Sequence, residues 1–236
     1  HNQISHGRAG GVLVRGSSSP RIVNNRILAN EGANLAVLDD ASPTIEENTM
    51  SDAPARGLVI ISKASGLFAR NTICNSDLAN VYVGGDASPN MTANLIFDGA
   101  ASGLVIEDNA SGRFEHNLIS GHEQPAVAVQ GHAKPTMRCN VVTHGGMGGI
   151  WLDESAGGVF AHNYIENGDG AWRIGADVEA EMEGDNLSAQ EEVFKHPAKG
   201  PSAPKDAQKM VLVCGPEGFN YDKLSLGVAG LSITDS

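Results

Sequence analysis

The chain has 236 residues, 41% hydrophobic but only 5% aromatic, with 29 glycines, which suits a narrow core of medium aliphatics with many turns better than a helical bundle. Its formal charge of −12, from 28 acidic against 16 basic residues, excludes the clustered positive face that phosphate backbones require, so nucleic acid is not an expected partner. No apolar run of about 18 residues is present, so no membrane-spanning helix is expected.

The chain opens at His1, one residue before the first of nine asparagines spaced 23 residues apart: Asn2, Asn25, Asn48, Asn71, Asn94, Asn117, Asn140, Asn163 and Asn186. No secretory or transit pattern precedes them, and the start reads as a trimmed end. A fixed period of this length marks a solenoid in which each repeat is one coil. Two residues after each asparagine stands an aliphatic, from Ile4 and Ile27 to Val142 and Ile165. Ten and twelve residues after it come pairs such as Leu35 and Val37, Val81 and Val83, or Ile150 and Leu152. Twenty residues after it lies a third column, Ile22, Ile45, Phe68, Met91, Phe114, Met137 and Phe160.

Apolar positions two apart predict strands with one buried face, and Gly, Ser, Asp and Pro turns separate them. Three short strands per repeat, each stacking on its copy in the next, describe an all-β parallel β-helix of about eight 23-residue rungs. At a rung rise of about 4.8 Å it would be roughly 35–40 Å long. A helical solenoid is the competing reading, but the apolar stretches are too short and too β-branched for it. The asparagine column is expected to be a structural ladder, because an amide side chain both donates and accepts and so can bond to its own copies along the rod. The small column Ser18, Ala41, Ala64, Ala87, Ala110, Ala133 and Ala156 reads as a tight inward corner. Pro43, Gly66, Pro89, Gly112, Pro135 and Gly158 alternate in one column, giving a 46-residue superperiod for which tandem duplication of two rungs is a sufficient account.

The run Ala41-Ser42-Pro43-Thr44-Ile45-Glu46-Glu47-Asn48-Thr49-Met50 resembles the right-handed, single-stranded parallel β-helix repeats shared by carbohydrate-active proteins and periplasmic copper-site accessory proteins. Strands such as Gly148-Gly149-Ile150-Trp151-Leu152, with the alternating Ser-Pro and Gly-rich rungs, are most similar to the β-helix region of F-box substrate receptors. The resemblance covers about residues 1–175 and implies a rod that displays a recognition face to another macromolecule. No F-box and no Cys- and His-rich zinc segment accompany it.

Two kinds of candidate site sit on the middle strand. Its outward neighbours Val59, Ile61, Tyr82, Val105 and Trp151 form an apolar stripe where a solvated sheet would be polar, so a protein partner or a folded-back segment is expected to cover it. The carboxylates Glu107 and Asp153 share a column two rungs apart, roughly 9–10 Å by the rung rise, with Gln130 between them and His132 nearby. That separation is at or just beyond what an inverting glycosidase uses, so a glycan hydrolase, lyase or binder is the alternative. Carboxylates at turns also cap local backbone groups, and the dense acidic clusters of pectin enzymes are missing. His116 and His162 share a column about 10 Å apart, too far to share a metal. No metal and no cofactor is expected.

At the end of the rod, Trp172 and Ile174 come one place early. Residues 176–195 are acidic and are expected to cap the last open edge, with a short helix near 187–195. Residues 196–208 are Pro-rich and read as a linker. Residues 209–236 form a tail in which Val213-Cys214-Gly215-Pro216 is similar to an element beside the nicotinamide pocket of ferredoxin-reductase-type flavoproteins, though the flavin-binding portion is missing. Cys74, Cys139 and Cys214 are odd in number, and taken as unpaired they favour a reducing, intracellular setting. The expectation is a non-catalytic scaffold or substrate-recognition module within a larger protein or assembly.

Overall fold

Strands of three residues are too short to hold together alone and become stable only by stacking on their own copies. The computed structural model, which describes residues 1–167, 169–184, 186–188 and the strand segments 214–215, 218–219, 224–227 and 230–233, shows this stacking throughout. The first sheet runs from Gln3–Ser5 to Leu187–Ser188 in nine strands, the second from Val12–Val14 to Trp172–Ile174 in eight, and the third from Arg21–Val23 to Glu179–Glu183 in eight. Every pairing in these three sheets is parallel, with partners such as Ile73 and Ile96, Val83 and Ile106, or Met91 and Phe114 separated by 23 residues. Among the described residues there is no α-helix, and the expected parallel β-helix of about eight rungs is the fold observed.

The three apolar columns meet inside. Leu58, Ile60, Phe68, Ile73, Val81, Val83 and Met91 have no exposed surface, nor do the corner alanines from Ala41 to Ala156. In the third-sheet column Phe68, Met91, Phe114, Met137 and Phe160 alternate a rigid ring with a flexible thioether, which lets neighbouring layers fill one another's gaps. The Pro/Gly alternation also has a steric cause. Gly66, Gly112 and Gly158 adopt φ of +106°, +109° and +110°, and a Cβ on each would overlap the carbonyl oxygen of Pro43, Pro89 and Pro135 in the rung before. Each proline corner is followed by a backbone approach that only glycine fits.

From Asn25 to Asn163 both ends of every ladder amide are hydrogen-bonded. The Asn71 side chain donates to Asn94 Oδ1 at 3.1 Å and to the Ile45 carbonyl at 2.9 Å, while the Asn71 backbone N–H also donates to Asn94 Oδ1 at 2.9 Å. The same triad repeats from Asn94 to Asn117, from Asn117 to Asn140 and from Asn140 to Asn163. From Asn71 onward the carbonyl taken belongs to a third-sheet core residue of the previous rung, as Phe68 for Asn94 and Phe114 for Asn140. The ladder therefore ties the third sheet of one rung to the first sheet of the next. The bend that permits it comes from the preceding residue, held at φ near +55° in Glu47, Arg70, Ala93 and His116.

The rod extends further than the sequence suggests. The early Trp172 and Ile174 still pair with Ile150 and Leu152, so one residue is lost in the turn before them and the stack survives. Trp172 turns inward and meets Phe160 edge-on, with ring centroids 5.4 Å apart. Within the acidic stretch, Glu179–Glu183 pairs with Gly157–Ala161, and Leu187–Ser188 pairs with Tyr164 and Ile165. The β-helix thus continues past residue 175 to 188, and its acidic end is built from strands where a cap with a helix near 187–195 was expected; residues 189–195 lie outside the described residues. The linker at 196–208 lies outside them as well. In the tail, Cys214–Gly215 pairs antiparallel with Gly218–Phe219, and Leu224–Gly227 with Gly230–Ile233.

A second polar column lines the corner between the first and second sheets, and it too alternates by rung. Asn30 and Asn34 bond to each other at 2.8 Å; Ser76 and Asn80 occupy the corner two rungs on, and His122 two rungs after that. The intervening rungs carry Ala53 and Gly57, then Gly99 and Gly103. A Cβ on Gly103 would lie 2.5 Å from His122 Cε1, so each large polar side chain fills space left by a glycine. His122 is 3% exposed; its Nε2 accepts from Asn80 Nδ2 at 3.1 Å, which leaves the proton on Nδ1, where it has no partner.

Two stability predictions follow from these columns. Asn94→Ala removes the acceptor of Asn71 and the donor to Phe68, and is expected to cost about 2–4 kcal/mol, whereas Asn2→Ala at the exposed end costs well under about 1 kcal/mol; equal losses in chemical denaturation would show that the ladder does not hold the rungs. Burial pushes His122 down to about 3 from its ordinary 6.5. Below pH 6.5 the unfolded chain takes up a proton that the folded chain refuses until about pH 3, so stability falls by about 1.4 kcal/mol per pH unit across that window. In His122→Asn the plot of unfolding free energy against pH should lose that slope; an unchanged acid slope would place the sensitivity elsewhere.

Candidate functional site

Because inward positions are committed to the core, chemistry on this rod is confined to outward positions and turns. Along the second sheet the middle residue of each strand points out while its neighbours are buried, as in Leu58–Ile60, Val81–Val83, Leu104–Ile106 and Ile150–Leu152. Val59, Tyr82, Val105, Ala128 and Trp151 are successive register partners in one column. Ile61 sits at the next outward position, just past Leu58–Ile60, and is half-buried. The structure brings the expected apolar stripe together as one surface, and at its first rung Leu13 is 57% exposed. The first sheet also carries outward apolar residues: Leu95 and Val141 are buried, whereas Leu28, Phe97 and Leu118 are half-buried like most of the second-sheet stripe, in which Ala128 is itself buried.

Both aromatic side chains of the stripe are held in place. The Tyr82 ring lies over Gly84, where a Cβ would sit 2.9 Å from its hydroxyl, and that hydroxyl donates to Glu107 Oε1 in the next rung. The Arg56 guanidinium stacks on the same ring, 4.3 Å from its centroid, and Arg173 stacks on Trp151 at 4.1 Å. Among the described residues neither arginine has an ion-pair partner, and Arg56 Nε is buried without an acceptor.

Arg56 and Arg173 were not identified from the sequence. Arg56 is the one large side chain in a column of Gly10, Ala33, Ala79, Ser102, Pro125 and Gly148, a signal readable once that column is written out. Arg173 ends the outward column, concealed by the one-residue slip before Trp172.

The carboxylate pair fares differently. Glu107, Gln130 and Asp153 do fall in one column, their N–H groups bonding to Val83, Ile106 and Val129. Yet Glu107 is engaged by Tyr82, Asp153 Oδ1 accepts the Glu154 N–H at 2.9 Å, and Gln130 stands between the two acids in the column. His132 is exposed in the following turn. The adjoining acids serve the corner itself: Asp39, Asp108 and Glu154, all at positive φ, accept the N–H of Gly16, Gly85 and Gly131 at 2.9, 2.8 and 2.8 Å. His116 and His162 occupy the left-handed position before the ladder asparagine. Among the described residues no three His, Cys, Asp or Glu side chains are placed to hold a metal.

The cysteines need a correction. Cys139 is disulfide-bonded, whereas Cys74 is free and buried, so the premise of unpaired cysteines does not extend to Cys139. Burial, then the charges of Asp52 and Asp98, push the Cys74 thiol up to about 12, which keeps it protonated and unreactive.

Burial, the hydrogen bond to Glu107, and the charges of Glu107 and Asp108 push the Tyr82 hydroxyl up to about 12, against a smaller opposing pull from Arg56. Ultraviolet titration of tyrosinate should find this group ionising late, and Glu107→Gln should bring it back toward the usual 10. A titration unaffected by that substitution would mean that the Tyr82–Glu107 bond does not persist in solution.

The sequence model of the right-handed β-helix region matches residues 1–134. Among solved structures, the chain is similar to a crystal structure of a mutant of the periplasmic alginate epimerase AlgG, with a TM-score of 0.60 and 15% identity over 77% of this chain and 47% of that one. The chain spans about half of that protein's length, and a likeness at this identity is one of fold. No curated protein matches the sequence. With three stacked parallel sheets, a continuous asparagine ladder and a family match over more than half of its residues, the chain belongs to the right-handed β-helix family.

Proposed function

We propose that this chain is a non-catalytic β-helix module that recognises another protein through the outer face of its second sheet, within a larger protein or assembly. The observation that carries this reading is the column Val59, Tyr82, Val105 and Trp151, apolar at its centre, partly accessible, and braced by side chains that fix its two rings. An apolar centre with anchored aromatics and a polar rim is the anatomy of a protein-binding patch. The likeness to β-helix substrate receptors points the same way. The acids that would serve a glycosidase are tied into the scaffold, Glu107 to Tyr82 and Asp153 to the Glu154 backbone.

The rival reading is a carbohydrate-active enzyme or glycan binder using Glu107, Asp153 and His132. It is favoured by the shared column of Glu107 and Asp153 and by the likeness to an alginate epimerase.

A photo-crosslinking residue placed at Val105 should give one adduct of defined mass, while the same residue at Thr92 on the third sheet gives none. The partner identified from that adduct, once purified, should bind about 10-fold or more weakly to Trp151→Ala. Reducing-end release from polygalacturonate and a β-glycan panel should stay at the blank. Turnover abolished by Asp153→Asn would replace this proposal with the rival.

A further inference from the structure

The outer face of the first sheet is more buried than a solvated sheet allows. Val141 and Thr143 stand at outward positions on either side of the core residue Val142, yet they are 0% and 2% exposed. Val59 and Val105, at outward positions of the second sheet, are only half-buried. Flanking rungs therefore leave an outward valine half-covered in this coil, and a further layer lies over Val141. Cys74 and Leu95, outward on the same sheet two and three rungs earlier, are buried as well. Two residues before Val141, at the edge of this face, Cys139 is disulfide-bonded. The sequence holds three cysteines and Cys74 is free, which leaves Cys214 as the partner within one chain.

Chain length and the pattern of the tail fit it to this role. The rod ends at Ser188 in the first sheet, and 25 residues, 189 to 213, separate it from Cys214. The way back from the rung of Asn186 to that of Asn140 is two rungs, about 10 Å, well within the reach of such a length at about 3.3 Å per extended residue. Beyond Cys214, the strands Leu224–Gly227 and Gly230–Ile233 pair with Leu224 opposite Ile233 and Leu226 opposite Leu231. Opposed residues of a ladder share a face, and so do residues two apart. The hairpin thus has these four aliphatics at one face and Ser225 and Ser232 at the other. A two-stranded hairpin is marginal by itself, and one with a wholly apolar face requires an apolar surface to rest on. The first sheet presents one in the register partners Leu95, Leu118 and Val141, with Phe97 beside them.

We infer that the outer face of the first sheet is the docking surface of the chain's own C-terminal tail, clasped there by an intrachain disulfide between Cys139 and Cys214 that sets the hairpin of residues 224–233 on Leu95, Leu118 and Val141. The inference concerns a different sheet from the recognition face and does not rest on that reading. A second copy could offer the same cysteine, but a tail on the same chain meets Cys139 at a much higher effective concentration. The bond belongs to an oxidising compartment, in place of the reducing setting that unpaired cysteines imply. It also commits the first sheet to internal cover, so that a partner is left the second.

The test uses the whole chain. Thiol counting on the denatured, unreduced protein should find one free thiol in the parent and two in Cys214→Ser, and the parent should run as a monomer on a non-reducing gel. A photo-crosslinking residue at Leu118 should link within the chain to a peptide from residues 224–233. The yield of that link should fall about 10-fold in Cys214→Ser, which loses the clasp, and by a similar factor in Leu226→Asp, which puts a charge on the apolar face. Both substitutions lie outside the coil, so circular dichroism of the variants should match the parent. Three free thiols in the parent overturn the inference, as does a Cys139–Cys214 bond that joins two chains. So does a Leu118 crosslink that goes to a second copy, reaches no tail peptide, or is unchanged in both variants.

Discussion

The structure depends on one repeated hydrogen-bonding event, an asparagine amide that bonds at once to the asparagine above it and to a backbone carbonyl of the rung below. Stacked strands of three residues bury little surface each, so the alternation of buried and outward positions resists a slip by one residue only weakly. The Asn94 side chain adds that resistance, because its Nδ2 must find both Asn117 Oδ1 and the Phe68 carbonyl. Aspartate lacks the donors, and glutamine adds a methylene that the 23-residue coil has no room for. A slip by one residue would leave several fully buried amides without partners, each costing about 1–3 kcal/mol, so the ladder sets the register and the core then fills to fit it. The last rungs show this order of precedence. Between residues 166 and 172 the chain loses one residue, and between 183 and 187 it recovers it, so that Asn163 still meets Asn186 at 2.9 Å.

Once rungs are stacked in register, the corners face a crowding problem, and the 46-residue superperiod is its solution. A proline corner brings its carbonyl so close to the next rung that the residue there can carry no side chain, as Pro43 does to Gly66 and Pro89 to Gly112. At another corner a large polar group leans into the space of an adjacent glycine, as His122 does over Gly103. Both are large-small pairings along the rod axis, and both oblige neighbouring rungs to differ. A single-rung repeat would have to use an intermediate side chain at every level. Tandem duplication of two rungs is one route to such a pattern, but the sterics are enough to maintain it.

Much of this architecture is legible in the amino-acid order, because each inward column is read by counting from an asparagine. Burial at Ile73, Val81, Val83 and Met91 follows from their places in the count, as do the alanine corner and the parallel stacking. What the count does not reveal is direction and reach. That Glu107 and Asp153 share a column is visible in the sequence; that Tyr82 reaches across Gly84 to occupy Glu107 is not, because it depends on a rotamer and on the absence of a side chain two residues away. The boundary drawn at residue 175 failed for a related reason. Composition turns acidic there while the backbone goes on coiling, and Glu179, Glu181 and Glu183 serve as well as any residue on a strand whose outer face meets water.

A solenoid separates what holds it together from what it displays more cleanly than most folds, and this bears on where its function resides. Inward columns answer to packing and corners to crowding, so a side chain that breaks its column without serving either has been placed for another reason. Arg56 interrupts a column of glycine, alanine, serine and proline, and Arg173 ends a column of aliphatic and aromatic residues. Neither enters the core, and among the described residues neither neutralises a carboxylate. By contrast, the turn acids Asp39, Asp108 and Glu154 obey their column and are accounted for by the glycine N–H groups whose hydrogen bonds they accept. The departures from the repeat therefore fall on the same face as the apolar stripe and bracket it. Exposure and apolarity alone locate a surface; the two stacked cations mark its ends.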